Sequence, residues 1–197
     1  VEILRIAYDK GDLLAITIMG ELYYNGYPHK KFIIPNPEKG LSCFCRAHAA
    51  GVPRATLGYA QALIKGKGCS QDIPEAQRLL ESITEKEPLA KVSLALLYKE
   101  GLIGQDKSAI ERHDIAMNLL CEAITKDCPQ AHTQLGIIYE TGERVPKNLR
   151  FAFSYYKKAS IIGDPHARTR LGHLYKNNQL PPGPQLNLKV RLKEALS

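Results

Sequence analysis

Cysteine and histidine are the residue types in this sequence that could bind a metal ion or carry redox chemistry. The cysteines are Cys43, Cys45, Cys69, Cys121 and Cys128, and the histidines are His29, His48, His113, His132, His166 and His173. No Cys-x-x-Cys pair and no His-Glu-x-x-His motif occurs, so the spacing of a dithiol or zinc site is missing. We therefore expect no catalytic residue, no metal and no cofactor, and we interpret Cys43, Cys45 and Cys69 as small packing residues.

Three of these side chains have a second interpretation. Cys128 precedes Pro129 at a junction, where a partly exposed thiol would suit regulation. His132 and His173 are expected at the surface, either as ordinary surface histidines or as contacts for a partner.

The stretch Ile64–Gly68 looks like a phosphate loop, but it lacks the glycine, lysine and hydroxyl spacing that phosphate binding needs.

The elements that carry these residues come from a repeat. Its copies begin at Ala15, Ala55, Ala90, Ala131 and Ala167, and a small anchor residue follows five positions later at Gly20, Ala60, Ala95, Gly136 and Gly172. The anchors are 40, 35, 41 and 36 residues apart. Removing the extra residues of two expanded loops gives an underlying period of 36 residues, which is typical of a solenoid.

Each copy contains two apolar segments of helical periodicity. The second segments align on Ala47, Ile83, Ala123 and Ala159. The sequence thus predicts an all-α fold in which every repeat is a pair of helices of about a dozen residues. A recurring glycine inside a helix indicates close backbone approach of a neighbour, since glycine costs about 1 kcal/mol there relative to alanine.

The pattern resembles the Sel1-like repeat, a relative of the tetratricopeptide repeat with a 36-residue period. The fourth copy keeps the family positions Ala131, Leu135, Gly136, Tyr139, Gly142, Val145, Ala152, Tyr156, Lys158, Ala159 and Gly163. The second copy keeps Ala55, Gly66, Gly68, Asp72 and Ala76, and the resemblance covers about residues 10–178. This chain departs from the family by carrying alanine at two anchors and no tryptophan.

The resemblance implies a right-handed superhelical solenoid of about five antiparallel helix pairs. It also implies use as a non-catalytic adaptor or scaffold, because members bind other proteins and are common in bacteria, including pathogens. We expect one repeat domain over residues 1–197. Residues 1–11 would end a preceding second helix, and repeats would occupy residues 12–51, 52–86, 87–127 and 128–163. A partial repeat would follow at residues 164–180, with a capping helix at residues 181–197.

Two segments do not follow the 36-residue repeat and are candidates for function. The loop Tyr27–Lys39 carries Phe32, Ile33 and Ile34 between prolines and a basic pair, and the second expanded loop is Leu102–Asp114. Insertions in solenoids fall on one edge, which is often a binding edge. Two interpretations stay open: the apolar residues fill a gap against a neighbouring helix, or they contact a partner.

The positions one residue after each anchor also vary. They hold Glu21, Gln61, Leu96, Ile137 and His173. Residues that vary beside constant anchor positions suit a recognition surface in the groove lined by the first helices. Leu96 and Ile137 could there form an apolar patch that anchors a partner helix or peptide.

Charge and composition narrow the classes of partner. The net charge is +7, but lysine and arginine are spread along the chain and tryptophan is absent, so nucleic acid is not the expected partner. No apolar run approaches the ~20 residues needed to cross a bilayer. Unpaired cysteines favour a reducing compartment, either the cytoplasm or a host cytosol after delivery.

The sequence as a whole predicts a protein-interaction scaffold, with a bacterial effector or a regulator of one as the finer hypothesis. The partner would be another protein. The alternative is an accessory repeat domain of a longer enzyme or membrane-associated protein, because the chain begins in the middle of the pattern without a methionine.

Overall fold

The computed structural model describes residues 2–26 and 34–177. Every regular element in those two ranges is an α-helix, which confirms the predicted all-α fold of helix pairs. The helices are α1 (Glu2–Asp9), α2 (Leu13–Asn25), α3 (Pro37–Ala49), α4 (Pro53–Lys65), α5 (Ile73–Ile83), α6 (Pro88–Lys99), α7 (Ala109–Ile124), α8 (Pro129–Thr141), α9 (Leu149–Ile162) and α10 (Pro165–Lys176).

The chain forms two compact units. The first spans residues 1–106 and contains α1 to α6, and the second spans residues 107–197 and contains α7 to α10. Within each unit every helix packs against the next one in the chain. In the first unit α4 also contacts α2 and α6. The first helices of three successive repeats therefore lie side by side.

Local sequence signals fix where the helices begin and end. The Asp12 carboxylate accepts a hydrogen bond from the Ala15 backbone N–H at 2.7 Å and caps α2. Proline stands in the first turn of α3, α4, α5, α6, α8 and α10, where its missing N–H costs nothing. Gly66 and Gly142 end α4 and α8 at φ 60° and 75°, as the sequence predicts.

The second expanded loop is shorter than the sequence suggested. The prediction placed a loop over Leu102–Asp114, but α7 begins at Ala109. The reason is a capping box: the Ser108 hydroxyl accepts from the Glu111 N–H, and the Glu111 carboxylate accepts from the Ser108 N–H. Ile103 is 3% exposed and holds the remaining loop against the core.

The first expanded loop is described only at its end. Phe32 and Ile33 lie outside the described residues, whereas Ile34 precedes α3. The Asn36 side chain caps α3 by accepting from the Lys39 N–H at 2.8 Å, so Lys39 belongs to the helix and not to the loop. The expected capping helix at residues 181–197 also lies outside the described residues.

Two of the three anchor glycines, Gly20 and Gly136, face aromatic rings, which corrects the prediction of a close backbone approach at these positions. Phe44 of α3 lies between Gly20 of α2 and Gly58 of α4. A Cβ at Gly20 would be 2.8 Å from its Cε1 atom, and a Cβ at Gly58 would be 2.7 Å from the same atom. A backbone approach does occur one helix later, where a Cβ at Gly40 would lie 2.8 Å from the Tyr24 nitrogen.

Candidate protein-interaction surface

We call Glu21, Gln61 and Leu96 of the first unit the first-helix row. All three are half-buried, and they lie on α2, α4 and α6. The Glu21 carboxylate accepts two hydrogen bonds from Arg54 of α4, at 2.6 and 2.8 Å. Because the Arg54 side chain is 53% exposed, this ion pair contributes little to stability, about 0–1 kcal/mol, and its charges stay accessible to a partner.

The equivalent positions in the second unit differ from this row. Ile137 packs against the core formed by α9 and α10, together with Tyr139 and Tyr175. His173 is exposed on α10, as the sequence predicts. The two residues therefore have different surroundings: His173 is exposed, whereas Ile137 is half-buried.

Ile34 is an apolar side chain held out at the surface. It is 82% exposed, and the chain directly after it is fixed because the Asn36 N–H donates to the Tyr23 carbonyl at 2.8 Å. Lys39 adds a positive charge nearby, with its Nζ 5.9 Å from the centre of the Tyr23 ring. A partner with apolar and acidic groups would match this combination.

Several exposed apolar residues were not identified by sequence reasoning. Ile3 and Leu14 on the first two helices are 84% and 59% exposed, and Ile161 at the end of α9 is 77% exposed. A signal existed for Ile161, because the corresponding positions of the other second helices hold small or polar residues. These side chains are accessible to a partner and also serve as matched comparisons for Ile34.

His132 is buried, contrary to the prediction of a surface histidine. It is 5% exposed, and its ring centre lies 6.0 Å from that of Tyr155. Its Nδ1 has no hydrogen-bond partner among the described residues. Burial lowers the pKa of His132, and the charge of Lys158 lowers it further. A neutral imidazole packed in this way is a core residue and not a contact for a partner.

The cysteines are reduced thiols, and their surroundings disfavour reactivity. Burial raises the pKa of Cys43, Cys45 and Cys69, so the nucleophilic thiolate is disfavoured at these positions. Cys128 is 6% exposed at the start of α8, which corrects the prediction of partial exposure. Cys121 is exposed on α7.

The described residues contain neither a cluster of metal-ligating side chains nor a membrane-spanning helix. In residues 2–26 and 34–177, no group of three or more histidine, cysteine or acidic side chains is placed to hold a metal ion. No helix in this part of the chain is long and apolar enough to span a membrane.

Comparison with known proteins places the repeats in a family. The Sel1 repeat family model matches residues 13–52, 53–86 and 129–164, which together make up more than half of the chain. Curated protein sequences gave no match.

Solved structures share the fold. A Sel1 repeat protein from Oxalobacter formigenes aligns with 99% of this chain and 83% of its own, at 20% identity and a TM-score of 0.65. An immunity protein from Pseudomonas aeruginosa aligns with 99% of this chain and 72% of its own, at 20% identity and a TM-score of 0.69. A protective antigen of uropathogenic Escherichia coli aligns at 20% identity and a TM-score of 0.60, and this chain, 99% covered, spans only 40% of that protein. At such identities the likeness shows the fold alone.

Proposed function

We propose, since the chain belongs to the Sel1 repeat family, that it is a non-catalytic scaffold that binds a partner protein or peptide through the surface of its first unit. Sel1 repeats are a protein-interaction scaffold type of fold. The bacterial origin of the matching structures supports a bacterial effector, or a regulator of one, as the finer form of the proposal.

The observation that carries the proposal is the exposure of Ile34. The repeat positions of the first unit are used for stacking, since Ala55, Ala60 and Ala90 are completely buried. Ile34 belongs to the expanded loop and leaves 82% of its surface in water. An exposed apolar side chain on a fixed stretch of backbone is what a partner can bury without ordering a loop first.

The first test is capture of partner proteins from native lysate by the immobilised chain. Ile34→Asp is compared with Ile161→Asp, which places the same charge at a similarly exposed isoleucine of the second unit. We expect a protein retained by the wild type and by Ile161→Asp to be lost with Ile34→Asp. Identical retention by all three chains would remove Ile34 from the proposed surface.

A second pair of variants tests the first-helix row. Arg54→Ala frees the Glu21 carboxylate in the first unit, and Arg170→Ala removes a comparable half-exposed partner of Glu140 in the second unit. Both changes remove one surface ion pair, so neither is expected to alter folding much. We expect only Arg54→Ala to change the affinity of the captured partner, and equal affinities would exclude the row.

A further inference from the structure

Three aromatic rings form a row on α8 and α9 of the second unit. The Tyr139 ring contacts the rings of Phe151 and Tyr155, with ring centres 5.2 and 5.7 Å away. Tyr139 and Tyr155 are nearly parallel, at 8°, and Phe151 is tilted by 60°. We call these three side chains the aromatic row. Phe151 is 53% exposed and both tyrosines are half-buried, so a partner can reach the row.

The row also carries two hydrogen-bond donors. The hydroxyls of Tyr139 and Tyr155 make no hydrogen bond within the described residues, whereas the hydroxyl of the next residue, Tyr156, donates to Glu140. Burial, together with the neighbouring Tyr139 and Cys121, raises the pKa of Tyr155, so its hydroxyl keeps its proton near neutral pH. Both hydroxyls can therefore donate to carbonyl oxygens of a bound chain.

The chain that contains most of the row is strongly basic. Arg150 directly precedes Phe151, and all five cations of this stretch are exposed and form no ion pair within the described residues. Residues 144–158 contain no acidic residue, and their cations are Arg144, Lys147, Arg150, Lys157 and Lys158.

One of these cations lies at the Tyr155 end of the row. Burial, and after it the charge of Lys158, lowers the pKa of His132, whose ring centre lies 6.0 Å from that of Tyr155. Asp127 acts on the same histidine in the opposite direction, so a carboxylate also stands near this end. Because Asp127 is one carboxylate against five cations, a partner segment that carries carboxylates fits the row.

The chemistry of the row favours an extended proline-rich peptide over a helix or a nucleic acid. A polyproline II segment has no internal hydrogen bonds, so its carbonyls can accept from the two tyrosine hydroxyls, whereas the carbonyls of a helix are already bonded. Proline-rich segments also dock on surfaces lined by aromatic rings. A nucleic-acid base needs an open ring face for stacking, but the Tyr139 ring already packs against both other rings.

We propose that the aromatic row binds an acidic, proline-rich segment of a partner protein in the polyproline II conformation. The prolines pack on the three rings, the tyrosine hydroxyls donate to peptide carbonyls, and carboxylates of the segment pair with Arg150 and Lys158. The inference rests on the proposed function, since it takes the partner to be a protein. It uses residues of the second unit, however, whereas the proposed function uses Ile34 and the first-helix row.

The test measures binding of fluorescent synthetic peptides to the full chain by fluorescence anisotropy. One peptide repeats Glu-Pro-Pro, a second repeats Lys-Pro-Pro and a third repeats Glu-Gly-Ser, so charge and proline content vary separately. We expect the first to bind and the other two to bind at least about tenfold more weakly. Equal binding of the Glu-Gly-Ser peptide, or no binding of the Glu-Pro-Pro peptide, would overturn the proposal. Tighter binding of a single-stranded oligothymidylate would overturn it in favour of a nucleic acid.

Substitutions separate the row from the rest of the second unit. Phe151→Ala removes an exposed ring, and its matched control Ile161→Ala removes an exposed apolar side chain of α9 outside the row. Lys158→Gln is matched with Lys176→Gln, which removes an exposed cation of α10. We expect the affinity for the Glu-Pro-Pro peptide to fall about tenfold in Phe151→Ala and about threefold in Lys158→Gln. Equal losses in a variant and its control would contradict the proposal.

Two further measurements address the hydroxyls and the first unit. Tyr139→Phe and Tyr155→Phe keep the rings, so a loss of affinity of about two- to tenfold in each would reflect the missing donor alone. Unchanged affinity in both would contradict the proposed hydrogen bonds. Ile34→Asp should leave peptide binding intact, and its loss in that variant would assign the peptide to the first unit. Failure of the peptide to bind leaves the lysate test of Ile34 unaffected, so the two proposals fail separately.

Discussion

Gly136 of α8 faces the ring of Tyr156 in α9 so closely that a Cβ at Gly136 would lie 2.5 Å from the ring atom Cε1. The same relationship joins Gly20 and Phe44 in the first unit, with a corresponding distance of 2.8 Å. Real Cβ contacts are not this short, so each glycine is required by the ring opposite it. The glycine of the repeat is therefore a packing residue whose partner is one particular side chain.

The second repeat uses a different combination at these positions. It carries Ala60 in place of the glycine and Leu80 in place of the ring, and both residues are completely buried on the contacting helices α4 and α5. A leucine is smaller than a phenylalanine or tyrosine, which leaves room for one methyl group. The size of the anchor residue thus follows the size of the side chain that the second helix supplies.

Gly136→Ala is expected to destabilise the protein by about 1–3 kcal/mol, because the new methyl group has no room beside the Tyr156 ring. Helix propensity alone predicts the opposite sign, a gain of about 1 kcal/mol. Urea unfolding followed by circular dichroism measures the net change. Gly172→Ala is the control, since its Cβ position is clear of the described residues and only the propensity gain should appear. Stabilisation by both substitutions would contradict the packing account.

The pairing of anchor and ring predicts a rescue in the first unit. Gly20→Ala should destabilise the fold, and Phe44→Leu should leave a cavity and destabilise it as well. The double variant recreates the combination of Ala60 and Leu80, so its loss should be smaller than the sum of the single losses by about 1 kcal/mol or more. A double-mutant cycle in urea measures this coupling. Additive losses would show that the glycine and the ring act independently.

Sequence reasoning located the anchors but not what they contact. The five anchor positions are visible because they recur in the chain, and the helices around them follow from the same period. Phe44 and Tyr156 share one position of the aligned second segments, three residues before Ala47 and Ala159, but their distances from the anchors differ. Phe44 stands 24 residues after Gly20, whereas Tyr156 stands 20 residues after Gly136. Because the loop between the first and second helix of a repeat varies in length, the sequence does not show which ring contacts which anchor.

The burial of individual polar residues could not be predicted from residue type either. His132 occupies the same repeat position as Ile16, Thr56 and Lys91, and all four are buried although their chemistry differs. Position in the repeat decided burial here, whereas residue type suggested a surface location. Candidate interaction residues are found by the opposite criterion, which is departure from the repeat. The sequence singles out Ile34 because it lies in an expanded loop that the repeat does not explain.

Removing the buried hydroxyl of Tyr156 or of Tyr24 should change the free energy of unfolding in different directions. The Tyr156 hydroxyl donates to the Glu140 carboxylate at 2.5 Å, and burial, followed by this carboxylate, raises the pKa of Tyr156. Tyr156→Phe should therefore destabilise the protein by about 1–2 kcal/mol. The Tyr24 hydroxyl is buried without a partner among the described residues, so Tyr24→Phe should be neutral or stabilising by up to about 1 kcal/mol.

Thermal and urea unfolding of the two variants measure this difference. The substitutions are chemically identical, so each serves as the control for the other. Equal destabilisation by both would show that the hydrogen bond to Glu140 does not contribute, whereas a loss at Tyr24 alone would reverse the assignment of partners.

His132 predicts how stability depends on pH. Burial lowers its pKa below the ordinary histidine value of about 6.5, with Lys158 acting in the same direction and Asp127 opposing them. The unfolded chain then binds the proton more readily than the folded one. Stability from this group is complete above about pH 6.5 and is lost as the pH falls below that value, with a slope of at most about 1.4 kcal/mol per pH unit.

His132→Leu should remove this slope, because leucine fills the same site without a proton to bind. Urea midpoints at pH 7.5, 6.5 and 5.5 measure it, and His166→Gln on the exposed start of α10 is the matched control. The wild type and His166→Gln should both weaken on acidification, while His132→Leu should weaken less. Because the comparison rests on slopes and not on absolute stability, a packing loss caused by the leucine does not obscure it. An unchanged slope in His132→Leu would show that His132 is not the group that takes up the proton on unfolding.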